Sequence, residues 1–460
     1  MPLIKSISGI RGTIGGRPGE GFTPTDIIKF AAGYGTWLGK RHNNTGLRVV
    51  TGRDARRSGQ LVTSLVINVL RSLGIDVVDL GLATTPTVEM AVTGLNASGG
   101  IIVTASHNPE NWNALKLLNE NGEFLSSKDG LEVLKIAGSD NFIFAQLDQT
   151  GSLTEDNSWA EKHIAKVLDL SLVDTDAIRK ANFTVAIDCV NSVGGIILPE
   201  LLTALGVSRI IGLNTDPDGR FAHNPEPLPE HLTEISALVV KEKADTGFVV
   251  DPDVDRLAII SEDGSMFGEE YTLVAVSDYV LSITPGNTVS NLSSTRALKD
   301  ITEKHGKSYF SAAVGEVNVV EEMKKCHAVI GGEGNGGVIY PELHYGRDAL
   351  AGIALFLSHL AKSGLKCSSL RSLYPQYVIA KKKMVLSEEM DFGMIKDDLK
   401  SEFSRQSIDE RDGLRIEDDN GWVQIRKSNT EPIIRIYAEG RTSEEAELLA
   451  NRVMKFVKKA

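Results

Sequence analysis

Four short stretches of the chain gather the residue types that do chemistry. The first is Thr104-Ala105-Ser106-His107-Asn108-Pro109, which follows the apolar run Ile101-Ile102-Val103. An apolar run ending in a hydroxyl, an imidazole, an amide and a proline reads as a buried strand delivering a rigid polar loop. Open α/β sheets bind ligands at such strand ends, although for a loop of this composition alone a simple turn is the favoured reading. The second is Asp251-Pro252-Asp253-Val254-Asp255-Arg256, again after an apolar run, 246–250. In an extended loop, alternate positions point three carboxylates one way, and they repel unless a cation joins them. Hard oxygen donors select Mg²⁺ or Mn²⁺. The spacing is not that of an EF-hand, which needs a sixth-position glycine and later ligands.

The third stretch, Gly332-Glu333-Gly334-Asn335-Gly336-Gly337, matches G-x-G-x-x-G in letters. Val338-Ile339-Tyr340-Pro341 opens no helix behind it, and Glu333 would oppose a pyrophosphate, so a dinucleotide site is a poor reading. Glu333 and Asn335 suit sugar hydroxyls better, as an acceptor and a two-way amide. A tight turn between strands is the plain alternative. The fourth stretch, 426–432, places Arg426, Lys427, Ser428, Asn429 and Thr430 in one turn, with Arg435 just beyond. Guanidinium forks match phosphate oxygens, so this is the composition of a phosphate cradle. No G-x-x-x-x-G-K-[ST] motif accompanies it.

Ser106 then needs a role. There is no G-x-S-x-G elbow, and in an extended run His107 would point away from Ser106, which argues against a serine hydrolase. A phosphorylated Ser106 would carry about −1.5 to −2 charge and could complete a cation site made by three aspartates.

The elements that must hold these loops alternate. Strand 47–51, a helix opened by Ser58, strand 76–80 and helix 86–95 precede the serine loop, after a first helix over 23–41. Around 148–156 the pattern restarts with strand 183–188, helix 194–205, strand 209–213, helix 229–241 and strand 246–250. A third round follows with strand 257–260, a helix from 269, and strands 288–292, 309–314 and 328–330. Strand–helix alternation implies a mainly parallel sheet covered on both faces. From 372 the runs 414–416, 422–426 and 432–437 alternate apolar and polar, as antiparallel strands do, before a closing amphipathic helix over 442–458. At about 150 residues per domain, 460 residues suggest three domains or four. The pattern favours four: three similar mixed-sheet α/β units over 1–150, 151–256 and 257–371, and a smaller α+β unit over 372–460, with their loops meeting at a central cleft.

Bulk composition narrows the class. A formal net charge of −12 without a basic block excludes a general nucleic-acid binder but leaves room for a phosphorylated ligand. Cys189, Cys326 and Cys367 are odd in number and far apart, as expected in a reducing cytoplasm. The apolar stretch 349–360 is too short to span a bilayer, and the first residues show no secretory pattern, so no membrane partner is expected.

Taken together and in this order, TASHNP, DPDVDR, GEGNGG and RKSNTEP, with Ser8-Gly9-Ile10-Arg11-Gly12 near the start, resemble the α-D-phosphohexomutases over essentially the whole chain. The resemblance implies a four-domain enzyme that interconverts hexose 1- and 6-phosphates through a phosphoserine and a bisphosphorylated sugar. On it, Ser106 is the phosphoserine, and Asp251, Asp253 and Asp255 hold Mg²⁺ with its phosphate. Arg11 and Arg256 stabilise the moving phosphoryl group, while His107 and Lys116 occupy acid/base positions. Glu333 and Asn335 bind sugar hydroxyls; Arg426, Ser428, Asn429, Thr430 and Arg435 grip the distal phosphate. The chain departs from the usual pattern at Ala114 (usually Gly), Glu316 (usually His after Gly), Asn335 (usually Ser) and Gly337 (usually His).

The Thr-Glu-Pro ending resembles phosphoglucosamine mutases, with bifunctional phosphoglucomutase/phosphomannomutases as the alternative. Glu316 and Glu333, if they meet, would favour a sugar ammonium. The implied partner is a phosphosugar, and a monomer and a homodimer both remain open. Two other readings are a metal-dependent sugar phosphatase, whose motif lacks a match at Asp255, and a non-catalytic sugar-phosphate binder, for which an intact Ser106 and complete trio would be superfluous.

Overall fold

The computed structural model describes residues 3–6, 9–385, 391–427 and 433–457. They form four sheets. The first has seven strands in the spatial order Ile4–Ser6, Gly9–Thr13, Trp112–Leu118, Gly99–Val103, Arg48–Arg53, Asp76–Leu82, Leu153–Glu155. Its last four strands run parallel, and the first three are antiparallel additions. The sheet is therefore mixed, a parallel set extended at one edge by antiparallel strands. The second sheet orders Leu257–Ser261, Thr246–Val250, Thr184–Asp188 and Arg209–Leu213; the third orders Tyr309–Ala312, Asn287–Asn291, Ala328–Glu333 and Gly337–Ile339.

The same device recurs in all three. A buried strand of the parallel set ends, the chemistry-bearing loop turns the chain, and an antiparallel partner carries it back. Gly99–Val103 returns as Trp112–Leu118, Thr246–Val250 as Leu257–Ser261, and Ala328–Glu333 as Gly337–Ile339. Each loop is thus pinned by hydrogen-bonded strands on both sides, which fixes it better than a strand-to-helix crossover would. The pairing moves two expected divisions. Leu153–Glu155 pairs with Asp76–Leu82 and belongs to the first sheet, and Leu257–Ser261 pairs with Thr246–Val250 and belongs to the second. Boundaries at 150/151 and 256/257 would cut those strands from their partners.

The fourth sheet is wholly antiparallel: Val378–Val385, Ile433–Gly440, Trp422–Lys427, Leu414–Glu417, Ser407–Asp409. Its buried face packs on Phe392–Glu402 and the closing helix Ser443–Val457.

Local chemistry accounts for the helices that frame the first three sheets. Pro24–Arg41 opens with a capping box in which Thr23 and Asp26 satisfy each other's backbone N–H groups. Ser58 precedes Gly59–Ser72 but does not cap it; its hydroxyl accepts from Asn113 Nδ2 at 2.9 Å instead. The apolar stretch near 350 is the helix Ala349–Ser363, capped by Asp348 and buried in a core that the second and third units share. Among the described residues, no helix is long and apolar enough to cross a membrane. His163 of the second unit lies 2.9 Å from Thr87 of the first and 2.8 Å from Asp348 of the third, a buried polar brace across all three.

Candidate active site

The serine loop does not run extended. Ser106 has φ +48°, in the left-handed region, and this turn brings His107 Nδ1 to 3.4 Å from Ser106 Oγ. The expectation that His107 points away fails for that reason. Ser106 is buried and donates through Oγ to Asp251 Oδ2 at 2.8 Å, so the first and second units meet at this hydroxyl.

One arginine shapes the loop. Arg56 donates to the carbonyls of Pro109 (2.5 Å), Asn108 (2.6 Å), Trp112 (3.1 Å) and Ser106. Its Nε pairs with Asp54 at 3.0 Å, and neither side chain is exposed. Asp54 also accepts from Thr104 Oγ1 at 2.6 Å, whose oxygen in turn accepts from the Ser106 N–H at 3.0 Å. The loop carbonyls thereby find donors, as buried backbone groups require.

The acidic stretch is also a turn, not an extended loop. Val254 has φ +61°, a strained value for a β-branched residue, and it lets the three carboxylates converge within 4.8 Å. All three aspartates are fully buried. Asp251 Oδ1 accepts from the backbone N–H groups of Asp255 and Arg256, both at 3.2 Å. Asp253 Oδ2 accepts from Thr85 Oγ1 at 2.5 Å and Lys116 Nζ at 2.6 Å; Asp255 Oδ2 accepts from Lys116 at 3.2 Å and Arg347 at 2.7 Å. The second oxygens, Asp253 Oδ1 and Asp255 Oδ1, are buried without a hydrogen-bond partner. Two orphaned carboxylate oxygens inside a protein are costly, and a hard cation is the partner that suits them.

The electrostatics are divided sharply. Burial and two carboxylate neighbours push Asp251 well above the ordinary carboxylate range. Burial also opposes the charge of Asp255, but Arg347, Lys116 and Arg256 outweigh it and hold that carboxyl low. Lys116 loses hydration, yet Asp253 and Asp255 more than compensate, so it stays an ammonium. Burial, with Arg256 and Arg11 nearby, drives His107 well below its usual value, so the imidazole is neutral. Arg11, whose Nη1 reaches Asn108 at 3.4 Å, falls to about 10 through burial and Arg256. Arg256 lies 3.9 Å from Asp251 and 3.8 Å from Asp255.

On the third unit, Glu333 is buried and accepts from Asn291 (2.7 Å), the Gly315 N–H (3.1 Å), Arg347 (3.1 Å) and Asn335 (3.4 Å). Asn335 Oδ1 accepts from the Gly337 N–H at 3.2 Å. Glu316 does meet Glu333, but through Arg347, whose Nε donates to Glu316 at 2.9 Å. The two carboxylates are therefore held by an internal cation rather than left open as a pair for a sugar ammonium. Burial, opposed by Arg347, pushes Glu316 up to about 7.

Arg426 and Arg435 face each other across the C-terminal hairpin. Arg426 pairs with Asp412 at 3.1 Å, and Asp412 accepts the Val314 N–H at 3.1 Å, just before the helix Glu316–Cys326 that begins with Glu316. Arg435 donates to Tyr437 Oη at 3.1 Å. Ser428, Asn429 and Thr430, like Ser8 of the N-terminal motif, lie outside the described residues. The structure therefore brings Ser106, His107, Lys116, Arg11, Arg256, the three aspartates, Glu333 and Asn335 to one place, and sets Arg426 and Arg435 on the adjoining sheet. Arg56, Asp54, Thr85 and Arg347 bond directly to the residues of this site and carried no mark in the sequence.

Four consecutive family models match the chain: phosphoglucomutase/phosphomannomutase α/β/α domain I over 4–143, domain II over 161–264, domain III over 268–377, and the C-terminal domain over 382–456. The chain belongs to this phosphohexomutase family. A relative from Thermococcus kodakarensis named phosphoglucomutase/phosphomannomutase is 36% identical, covering 95% of both chains. A probable phosphoglucosamine mutase from Pyrococcus abyssi is 34% identical over 98% of this chain and 97% of its own. Among solved structures, a phosphoglucomutase/phosphomannomutase family protein from Burkholderia thailandensis superposes with a TM-score of 0.85 at 26% identity, over 99% of this chain and 97% of that one.

Proposed function

We propose that the chain is a phosphohexomutase that interconverts glucosamine 6-phosphate and glucosamine 1-phosphate, with phosphorylated Ser106 as the phosphoryl donor. The observation that carries this reading is the Ser106 hydroxyl 2.8 Å from Asp251, at the edge of a trio with two orphaned carboxylate oxygens. Asp251, Asp253 and Asp255 would hold Mg²⁺ together with the Ser106 phosphate. That ion would supply charge neutralisation for the phosphoryl group.

The chain's own residues do the rest. Phosphoryl transfer breaks the bond from phosphorus to Ser106 Oγ and forms one to a sugar hydroxyl, whose proton must leave as the Ser106 oxygen gains charge. His107, neutral and 3.4 Å from Oγ, and Lys116, an ammonium, are the proton carriers at hand. Arg11 and Arg256 would meet the transferring oxygens. Glu333 and Asn335 would receive sugar hydroxyls, and Arg426, Ser428, Asn429, Thr430 and Arg435 the distal phosphate. The bisphosphorylated sugar would then turn over in the cleft and return its other phosphate to Ser106. Such chemistry asks for positioning and charge more than for covalent machinery.

Glucosamine is favoured by relatives of that name, including one from Sulfurisphaera tokodaii named phosphoglucosamine/phosphogalactosamine mutase at 30% identity. The 36% relative supports glucose and mannose phosphates as the second reading. Intact mass and peptide mapping should find one phosphate on Ser106, and Ser106→Ala should bind sugar phosphate without turnover. Undiminished turnover in that variant would sink the phosphoserine role. A panel of glucosamine, glucose, mannose and N-acetylglucosamine phosphates compared by kcat/KM decides the sugar; glucosamine phosphate as the poorest substrate overturns the assignment.

A further inference from the structure

Arg347 is buried and spends its whole guanidinium on carboxylates from three separate segments. Nη2 donates to Asp255 of the acidic turn (2.7 Å), Nη1 to Glu333 of the glycine-rich loop (3.1 Å) and Nε to Glu316 (2.9 Å), and the Arg347 N–H adds a second bond to Glu316 at 3.3 Å. On Asp255 it takes Oδ2 only, so Oδ1, the orphaned oxygen, is left for the trio. Room for the side chain comes from Gly337, where a Cβ would lie 2.3 Å from Arg347 Cδ. Glu316 and Gly337, two positions at which the chain leaves the common family pattern, thus converge on this one residue: one pairs with it and the other makes space for it.

We propose that Arg347 is a positioning residue that sets the aim of the cation ligand Asp255 and of the sugar-binding Glu333 with one rigid fork. A planar guanidinium fixes the angle between its partners, which a lysine ammonium cannot do. Groups that orient a metal ligand from behind are worth roughly 10- to 100-fold in metal affinity. Because the same fork holds Glu333, displacing it disturbs the sugar site in the same step. The metal half of this inference stands on the acidic turn alone, and the sugar half rests on the phosphohexomutase reading.

The test compares Arg347→Lys and Gly337→Ala with the wild-type full chain. Gly337→Ala keeps every charge and presses chiefly on the Arg347 methylenes, with Asn335 Oδ1 also 3.1 Å from the added Cβ, so Arg347→Lys is the variant that isolates the fork. Mn²⁺ dissociation constants are read by titration calorimetry, KM for the best sugar phosphate by steady-state kinetics, and folding by circular dichroism at 25 °C. Both variants should be folded, with the Mn²⁺ constant raised about tenfold or more and KM raised in parallel. A purely structural role would lower the melting temperature and leave the Mn²⁺ constant of the folded protein unchanged, and that result overturns the proposal. A raised Mn²⁺ constant with unchanged KM also overturns it, by confining Arg347 to the metal. If no sugar phosphate binds the wild type, the phosphohexomutase reading fails, while the Mn²⁺ comparison still decides the metal half.

Discussion

Arg56 and Arg347 are both buried, and each holds one wall of the cleft by a different kind of partner. Arg56 donates to four backbone carbonyls of the serine loop and balances its charge on Asp54 alone. Arg347 donates to three carboxylates and, among the described residues, its side chain meets no carbonyl. Carbonyls carry no charge that a ligand can neutralise, so the serine loop has its shape before anything binds. The carboxylates on Arg347 are the groups on which a cation or a sugar would draw, so a ligand would change the charge balance of a wall that the fork already aims. The Ser106 loop is held by neutral partners, and its surroundings, held by charged ones, are responsive to charge.

Removing the preset clamp should have the largest effect. Arg56→Met strands four carbonyls and a buried Asp54, and should cost about 3–5 kcal/mol in urea unfolding, with loss of turnover. Asp54→Leu combined with Arg56→Met should regain only the part owed to the unpaired Asp54, since the four carbonyls stay without their donor, and should not regain phosphate on Ser106 by mass. A double variant that is phosphorylated and active would show that the clamp is only scaffold.

On the responsive wall, Mg²⁺ at 100 times its dissociation constant should stabilise the chain by about 2.7 kcal/mol, read as a rise in melting temperature. Asp253→Asn with Asp255→Asn should abolish that rise. An equal rise in the double variant would place the cation elsewhere.

The responsive wall should also answer to pH. Burial pushes Glu270 up to about 8 and Glu316 up to about 7. Glu270 accepts the Thr295 N–H at 2.9 Å and lies against Gly334 of the glycine-rich loop. Both carboxyls are raised in the folded state, so the native chain binds protons that the unfolded chain, with ordinary values near 4.5, has released. Stability is then fullest below about pH 4.5 for these two groups and is lost as pH rises through 7 to 8. Glu270→Gln should flatten the upper part of that slope in melts taken from pH 5 to 9. The smallest effect belongs to Lys324, whose exposed ammonium meets Glu123 at 2.5 Å between the third and first units. Lys324→Ala should change stability by less than about 1 kcal/mol.

The two walls also differ in how far they can be read from sequence. Ser106, the aspartate trio and Glu333 stand in compact loops directly after apolar strands, where residue type and local pattern suffice. Arg56 acts on a carbonyl 50 positions away and Arg347 on a carboxylate 92 positions away, and a single arginine in a polar stretch carries no local mark of either task. The strand Trp112–Leu118 was hidden because Asn113 and Lys116 interrupt its apolar pattern, although every residue in it is buried. The helices Ser127–Ser139 and Glu316–Cys326 mix apolar and polar residues about evenly, and their buried stripes are short, Val133, Ile136 and Ala137 in one and Val319, Val320 and Met323 in the other. The turn at Ser106 has no sequence signal either, since serine is not a residue that announces a positive φ.

That positive φ has a consequence for the amino-acid alphabet itself. Two residues could offer an aliphatic hydroxyl to a phosphate, serine and threonine, and their oxygens are nearly equivalent as acceptors. At φ +48° they are not equivalent as backbones, because a side chain there costs about 1–2 kcal/mol and a branched Cβ makes the fit worse. The chain bears such a branched residue once in this cleft, at Val254, where the turn gathers three carboxylates. At position 106 a torsion angle, rather than the reactivity of the oxygen, favours the unbranched letter.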